Sequence, residues 1–321
     1  MPLMTANSYA GWAVESVYGT AASISTFTPV TSPKVTPGVT WLDDSDFRGS
    51  PVMHYDQVQG VFKANYTAKT FTFTDVYPNL LRAALGSTDT VASVGPSKYT
   101  HTIGLLNSPN TGSQPPSYTI INDSVDATYQ MVASRLSTLG LTFASNAAVE
   151  NTFEFICNQP TSAASVSGTN ESTQHLVPAW SCSASIGGAS VAVVESFSLD
   201  IKRNATQIYT LGQQSAYSNF SGPCETSGKF TFIVEIGETY WANALVRDQQ
   251  QVLVQLLDPQ TNYTILFQMS NVQLENPVID QSKAWVELST DFIAVANTTD
   301  AVNFGYAPIK TITTNSVSSA Y

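Results

Sequence analysis

Charged side chains are scarce in this sequence. Asp, Glu, Lys and Arg make up 12% of its 321 residues, about half the usual share. Ser, Thr, Asn and Gln take their place, as expected of strands and turns with a polar, weakly charged outer face. Such a face suits contact with water, and it also suits burial against copies of itself. Basic residues are the scarcer kind: 13 Lys and Arg stand against 24 Asp and Glu, a net charge of −11. A protein that grips nucleic acid needs clustered Lys and Arg against the phosphates, so that class is disfavoured. A protein that lets nucleic acid pass without sticking is not. The cysteines, Cys157, Cys182 and Cys224, are few, odd in number and without a Cys-x-x-Cys pair. They form neither a disulfide framework nor a zinc site. No run approaches the ~20 apolar residues of a membrane span, so no membrane insertion is expected. The opening "MPLMTANSYAGWAVES" lacks a basic segment followed by an apolar one, and no signal peptide is expected. The composition fits a soluble protein made in a reducing cytoplasm.

Catalytic signatures are lacking too. His54, His101 and His175 lie far apart, outside any metal-binding spacing, and read as surface or core residues. No Gly-x-Ser-x-Gly, phosphate-cradling loop or dinucleotide fingerprint occurs. The densest acidic group, "LDDSDF", carries Asp43, Asp44 and Asp46 but not the Gly and final Glu of a calcium loop. It reads as a solvated loop. No cofactor is expected. A carboxylate pair for glycoside hydrolysis leaves no local signature in a β-sandwich, so a carbohydrate-active reading stays open.

What the chain does contain is strands. "FTFTDV" (71–76), "SFSLDI" (196–201) and "KFTFIVEI" (229–236) alternate apolar with polar, the period of a half-buried strand. "TFEFIC" (152–157), "YTILF" (263–267) and "AWVELSTDFIAV" (284–295) add β-branched and aromatic runs, with turn residues such as "TPG" (36–38) and "GG" (187–188) between them. The plan is all-β and antiparallel. One stretch departs from it. In "YPNLLRAALGS" (77–87), Leu80, Leu81, Ala84 and Leu85 line one face of two helical turns, with Pro78 in the first turn and Gly86 past the end. Those are helix start and stop signals.

The polar stretch 158–174 divides the chain into 1–157 and 175–321, and the two parts share an order of features. Each has a strand and then a polar loop (ending in Arg48-Gly49, or running from Arg203 and Asn204 to Gly212). Each continues with a Gly-x-Phe, a strand, a Tyr with a short helix (77–85, and near 239–247), a Tyr-Thr-Ile strand and a closing pair of strands. Internal duplication is the favoured reading.

In this order the landmarks resemble the tail tube proteins (major tail proteins) of long-tailed bacteriophages. "ESVYGTAA" (15–22), "LDDSDFRGS" (42–50), "VYPNLLRAALGS", "KYTHTI" (98–103), "QPPSYTI" (114–120), "IKRN…YTLG" (201–212) and the closing "NFGYAPIKTITTNSVSSAY" carry the resemblance across nearly the whole chain. It implies tandem two-sheet β-sandwich or barrel folds, each with a short helix covering an outer side, whose inner strands join neighbours in a ring-shaped lumen barrel. The subunits would stack as rings in the tail of the virion, a smooth tail without a sheath, and conduct the genome with no catalytic site. Two loops would reach the adjacent ring: one at 40–60 with Asp43, Asp44, Asp46, Arg48 and Gly49, the other at 203–228 with Arg203, Asn204 and Gly212. The implied partners are the chain itself, a tape measure protein, a tail terminator and a distal tail protein. Duplex DNA would pass through unbound. A trimeric ring with pseudo-sixfold symmetry follows from duplication; a hexamer is the second choice. Another virion β protein, a decoration or receptor-binding one, is the main rival.

Overall fold

The computed structural model describes residues 8–24, 26–87, 89–108, 112–124, 126–164, 172, 174–235, 239–246 and 248–321. In chain order the first half gives β1 (Tyr9–Val14), β2 (Thr26–Thr28), β3 (Thr31–Thr36), β4 (Val39–Asp44), β5 (Asp56–Phe62) and β6 (Ala64–Phe71). Helix α1 (Tyr77–Leu85) follows, then β7 (Thr90–Gly95), β8 (Lys98–Gly104), β9 (Tyr118–Asp123), β10 (Thr128–Ala144), β11 (Glu150–Cys157) and β12 (Thr161–Ala163). The second half gives β13 (Ser183–Ile186), β14 (Ala189–Val191), β15 (Val194–Lys202), β16 (Thr206–Ile208), β17 (Ser218–Phe220) and β18 (Glu225–Ile233). Helix α2 (Tyr240–Leu245) precedes β19 (Gln250–Asp258), β20 (Tyr263–Asp280), β21 (Glu287–Ala294) and β22 (Lys310–Asn315).

Every pairing is antiparallel. One sheet runs β3-β6-β11-β10-β15-β18-β21-β20. Its two four-stranded runs, β3-β6-β11-β10 and β15-β18-β21-β20, use their strands in the same chain order and meet where β10 pairs β15. The long strands β10 and β20 serve two sheets each. The first part of β10 joins β2-β1-β9-β10-β12. The first part of β20 joins β14-β13-β19-β20-β22-β8-β7. Register shifts mark the bends, between Met131 and Ser134 against β9 and between Glu275 and Val278 against β21. At these points Ala133 and Asn276 take positive φ. An unpaired extra residue bends a strand and sharpens its twist, and so lets one strand leave a sheet and enter another. Among the described residues no series of ladders returns to its start, so the sheets they form are open.

The core fills the space between the eight-stranded sheet and the other two. In the second half it is a phenylalanine cluster: Phe230 lies 4.8 Å from Phe197 and 5.2 Å from Phe292, ring centre to ring centre. Gly228 makes room for it, since a Cβ there would sit 2.6 Å from the Phe292 ring and 2.0 Å from the Ser198 carbonyl oxygen. In the first half Trp12 and Phe155 meet Phe153 edge-on.

Helix α1 covers the expected residues. Its Leu80, Leu81, Ala84 and Leu85 are fully buried. Gly86 ends it at φ +83°, with its N–H donating to the Arg82 carbonyl at 2.8 Å. This left-handed position favours glycine. Rather than lying over an outer side, α1 sits in the core beside β10 and β8, its Tyr77 ring 6.3 Å from Phe267 of β20. Other expectations change too, among them the loop at 203–228, which holds β16, β17 and the start of β18. "FTFTDV" is not a strand: β6 ends at Phe71, and turn residues 74–76 lead into α1, because the alternation belongs to "ANYTAKTF", whose even-numbered residues are buried. The stretch at 40–60 is a hairpin, β4 with β5, and only 45–55 is loop. The polar stretch 158–174 contains β12, which pairs β10; within it, 165–171 and 173 lie outside the described residues.

Candidate assembly interface

The eight-stranded sheet ends in two strands with one free side each. At one end stands β3, with Thr31, Ser32 and Lys34 exposed and Pro33 half-buried within it. Proline lacks the N–H that a central strand needs and is at home on an edge. At the other end, Val278, Ile279 and Asp280 of β20 are exposed past the bend. Unpaired edges with apolar side chains are templates for pairing with another chain.

Two hairpin arms leave the sheet at equivalent places. Arm one, β4–β5, connects β3 to β6; arm two, β16–β17, connects β15 to β18. The arms touch: the Phe62 N–H donates to the Gln214 carbonyl at 3.1 Å, and the Tyr209 hydroxyl donates to the Phe62 carbonyl. The sequence-predicted residues divide between tips and roots. Asp43 and Asp44 end β4. Asp44 pairs with Arg48, whose guanidinium lies 4.9 Å from the centre of the Tyr55 ring. Asp43 accepts from Gln57 at 2.8 Å and lies 3.8 Å from His54. Asp46 and Gly49 lie exposed in the tip, Gly49 at φ +71°. Gly212 turns the tip of arm two at φ +84°. Arg203 and Asn204 stand at the root instead. Arg203 is buried and donates to the Ala84 carbonyl of α1 at 3.0 Å, and burial lowers its pKa.

Sequence reasoning saw charge in these arms and missed what else they expose. Phe47 at the tip of arm one and Leu211 at the tip of arm two are fully exposed, and Trp41, Leu42 and Met53 are largely so. Scattered single apolar residues are ordinary on a surface, but a contiguous exposed set marks an interaction site. The signal was present in "TWLDDSDFRGSPVM" and was outweighed by its acids. Helix α2 adds to the exposed set, with Trp241, Leu245 and Val246 open to solvent.

The face of the eight-stranded sheet away from the core is mostly polar, with Phe71, Ile233, Val278 and Ile293 as exposed apolar exceptions. Asp200, Thr152 and Lys69 stand across from one another there: a Cβ on Gly140 would meet Thr152 Oγ1 at 2.8 Å and Asp200 Oδ1 at 2.9 Å. Strand alternation adds the carboxylates Glu150, Glu154, Glu225, Glu275, Asp280, Glu287 and Asp291 to this face, and the lysines Lys34, Lys202 and Lys229. Carboxylates predominate.

The "ESVYGT" motif has a structural role. The buried Glu15 carboxylate accepts from the N–H groups of Gly19 and Ala133, both at 2.8 Å, and from the hydroxyls of Ser117 at 2.7 Å and Thr119 at 3.1 Å. It thus ties the turn after β1 to β9 and to the bend of β10. Among the described residues, no group of three or more His, Cys, Asp and Glu side chains is placed to hold a metal ion. His101 is a core residue bonded to Asp89 at 2.6 Å.

Against known proteins, the family described as phage tail tube protein matches residues 5–304. The chain belongs to that family, a structural component of the virion tail. No curated protein matches it.

Proposed function

We propose, from the premise that this is a phage tail tube protein, that three copies close into a ring and that stacked rings form the channel through which the genome leaves the phage. One observation carries the stoichiometry. The eight-stranded sheet consists of two four-stranded runs in the same order, joined by β10 and β15 and open at β3 and β20. The runs are two copies of one tube domain, 1–157 and 175–321, with β12 leading into the joint between them. Because eight strands alternate in direction, β20 of one protomer meets β3 of the next antiparallel, as β10 meets β15. The contact is heterologous, and a heterologous contact closes a ring when its rotation allows.

The dimensions suit the task. Three such sheets supply about 24 strands, which at ~4.8 Å spacing and ~40° tilt give a circumference of roughly 150 Å and a bore near 38 Å. A DNA duplex passes with water to spare. The polar sheet face lines this bore, and its excess of carboxylates repels phosphate, so the DNA slides without exchanging counterions for lysines. The arms, with their apolar tips, reach the adjacent ring. At its ends the tube meets a tail terminator and a distal tail protein, and before ejection it surrounds a tape measure protein, in a tail without a sheath.

Native mass spectrometry of rings released from tubes tests the stoichiometry. Three chains are expected, and six would overturn the trimer. Deleting residues 43–50 is expected to leave a folded protein by circular dichroism that makes no tubes. Normal tubes from that deletion would remove the arm from ring stacking.

A further inference from the structure

The joint inside the protomer fixes the register of the joint between protomers. We infer that Ile279 lies opposite Val35 of the partner subunit and Asp280 opposite Lys34 of the partner subunit, a second copy of this chain. The inference rests on the ring proposed above.

The register follows from the pairings already described. β11 and β21 are both eight residues long and both begin with glutamate, Glu150 and Glu287. Equating them carries the correspondence outward in both directions. On one side Thr142 stands opposite Glu150, and Asp280 opposite Glu287, so Asp280 takes the place of Thr142. On the other side Glu154 faces Thr67, which faces Lys34. Correspondingly, Asp291 faces Lys229, which faces Ser198, so Lys34 takes the place of Ser198. Within the chain Thr142 faces Ser198, and one step along Leu141 faces Leu199. The equivalent pairs across the gap are Asp280 with Lys34 and Ile279 with Val35.

The chemistry of both pairs fits. Leu141 and Leu199 are each 1% exposed where the internal joint passes over the core, whereas Ile279, at the open edge, is 47% exposed. Val35 packs against the core from the other edge. Pairing them extends the core from one protomer into the next. On the bore side, opposite charges replace the neutral Thr142 and Ser198. The Ser282 N–H donates to the Asp280 carboxylate at 2.8 Å, which lowers its pKa and keeps it charged. Neither Asp280 nor Lys34 belongs to an ion pair among the described residues. Charge also sets the polarity of assembly. Joining two β3 edges crowds lysines, and joining two β20 edges crowds aspartates; only the head-to-tail contact matches them.

Charge exchange tests the pair. Asp280→Lys and Lys34→Asp are each expected to stay folded by circular dichroism and to lower the fraction of protein sedimenting as tubes at least tenfold. The double variant is expected to recover to within about threefold of wild type. Single variants that assemble normally, or a double variant no better than either single one, would overturn the pair. A second arm separates register from ring. With Val35→Cys and Ile279→Cys in one chain, a short thiol cross-linker is expected to yield covalent species that stop at the trimer, above the background of each single-cysteine variant. Trimeric rings without this cross-link overturn the register alone. Rings of six chains overturn the ring and the register together.

Discussion

Helices α1 and α2 occupy the same place in the two runs of strands, yet one is inside the molecule and the other faces out. Leu80, Leu81 and Leu85 of α1 are at most 1% exposed, while Trp241 and Leu245 of α2 are 39% and 65% exposed. The helices themselves differ: α1 has nine residues, Pro78 in its first turn and Gly86 as a left-handed cap, whereas α2 has six residues and ends in the extended Val246. What lies beyond each helix differs as well. The space next to α1 is filled by the second half of the same chain: Phe267 of β20 packs on Tyr77, and Arg203 binds the Ala84 carbonyl. Beyond α2 the chain ends its second run at an open edge. The contrast repeats in the sheet, where β10 has β15 to pair with and, among the described residues, β20 past its bend pairs with β21 alone. The first half therefore displays, within one protomer, the surroundings the second half would acquire in a ring.

Matched substitutions sharpen this contrast, and the largest effect is expected at the two sheet joints. Leu199→Asp places an unpaired carboxylate in the core at the internal joint, a cost of about 3–5 kcal/mol that leaves little folded protein. At the open edge, Ile279→Asp is expected to keep the unfolding free energy of the isolated protomer within about 0.5 kcal/mol of wild type and to abolish tubes. Equilibrium unfolding read beside electron microscopy checks both; equal destabilisation by the two changes would remove the distinction.

The helices come next. Leu81→Ala in α1 opens a cavity and is expected to cost about 2–5 kcal/mol. Trp241→Ala in α2 is expected to change protomer stability by no more than about 0.5 kcal/mol while raising the concentration needed for assembly roughly tenfold, since a buried aromatic anchors an interface by about 1–2 kcal/mol or more. Thermal melts and light scattering report the two quantities separately. A smaller effect is expected at the arm tips. Phe47→Ser and Leu211→Ser should each leave the fold intact and weaken stacking severalfold, and unchanged tube length distributions would contradict a role for the tips.

A separate effect concerns pH and touches both halves. Burial pushes the thiols of Cys157 and Cys182 up to about 12, and it raises the phenols of Tyr66 and Tyr77 further. These are acids whose folded pKa exceeds the unfolded one. The stability they contribute is therefore full below the ordinary thiol value near 9 and is lost as pH rises towards 12. Urea midpoints are expected to be level between pH 7 and 8.5 and to fall by pH 10.5. Alkylation of Cys157 in the folded protein at pH 8 is expected to be far slower than in urea, because the thiolate is the reactive form.

How much of this was legible in the sequence depends on how local its cause is. Helix α1 was readable to its ends because Pro78 and Gly86 act within a turn of themselves, and β11, β15 and β21 because one face of each is buried and imposes alternation. From sequence the arms read as loops. In β4, "VTWLDD", both faces meet solvent, so no period of two appears, and Asp43, Asp44 and Asp46 masked the strand beneath. Arg203 reads from sequence as the start of an exposed loop because nothing near it announces the Ala84 carbonyl. The sharing of β10 and β20 between sheets was not legible at all: it depends on Ala133 and Asn276 adopting positive φ, which side-chain identity does not reveal. The pairing of β8 with β22 joins residues some two hundred positions apart and leaves no pattern in either segment.

A cryo-electron-microscopy reconstruction of assembled tubes tests the central claim most directly. The account predicts rings of three chains with pseudo-sixfold symmetry, a continuous inner barrel of about 24 strands, and β20 of each protomer hydrogen-bonded to β3 of the next. Rings of six chains, or a bore in which the β3 edge stays unpaired, would contradict it.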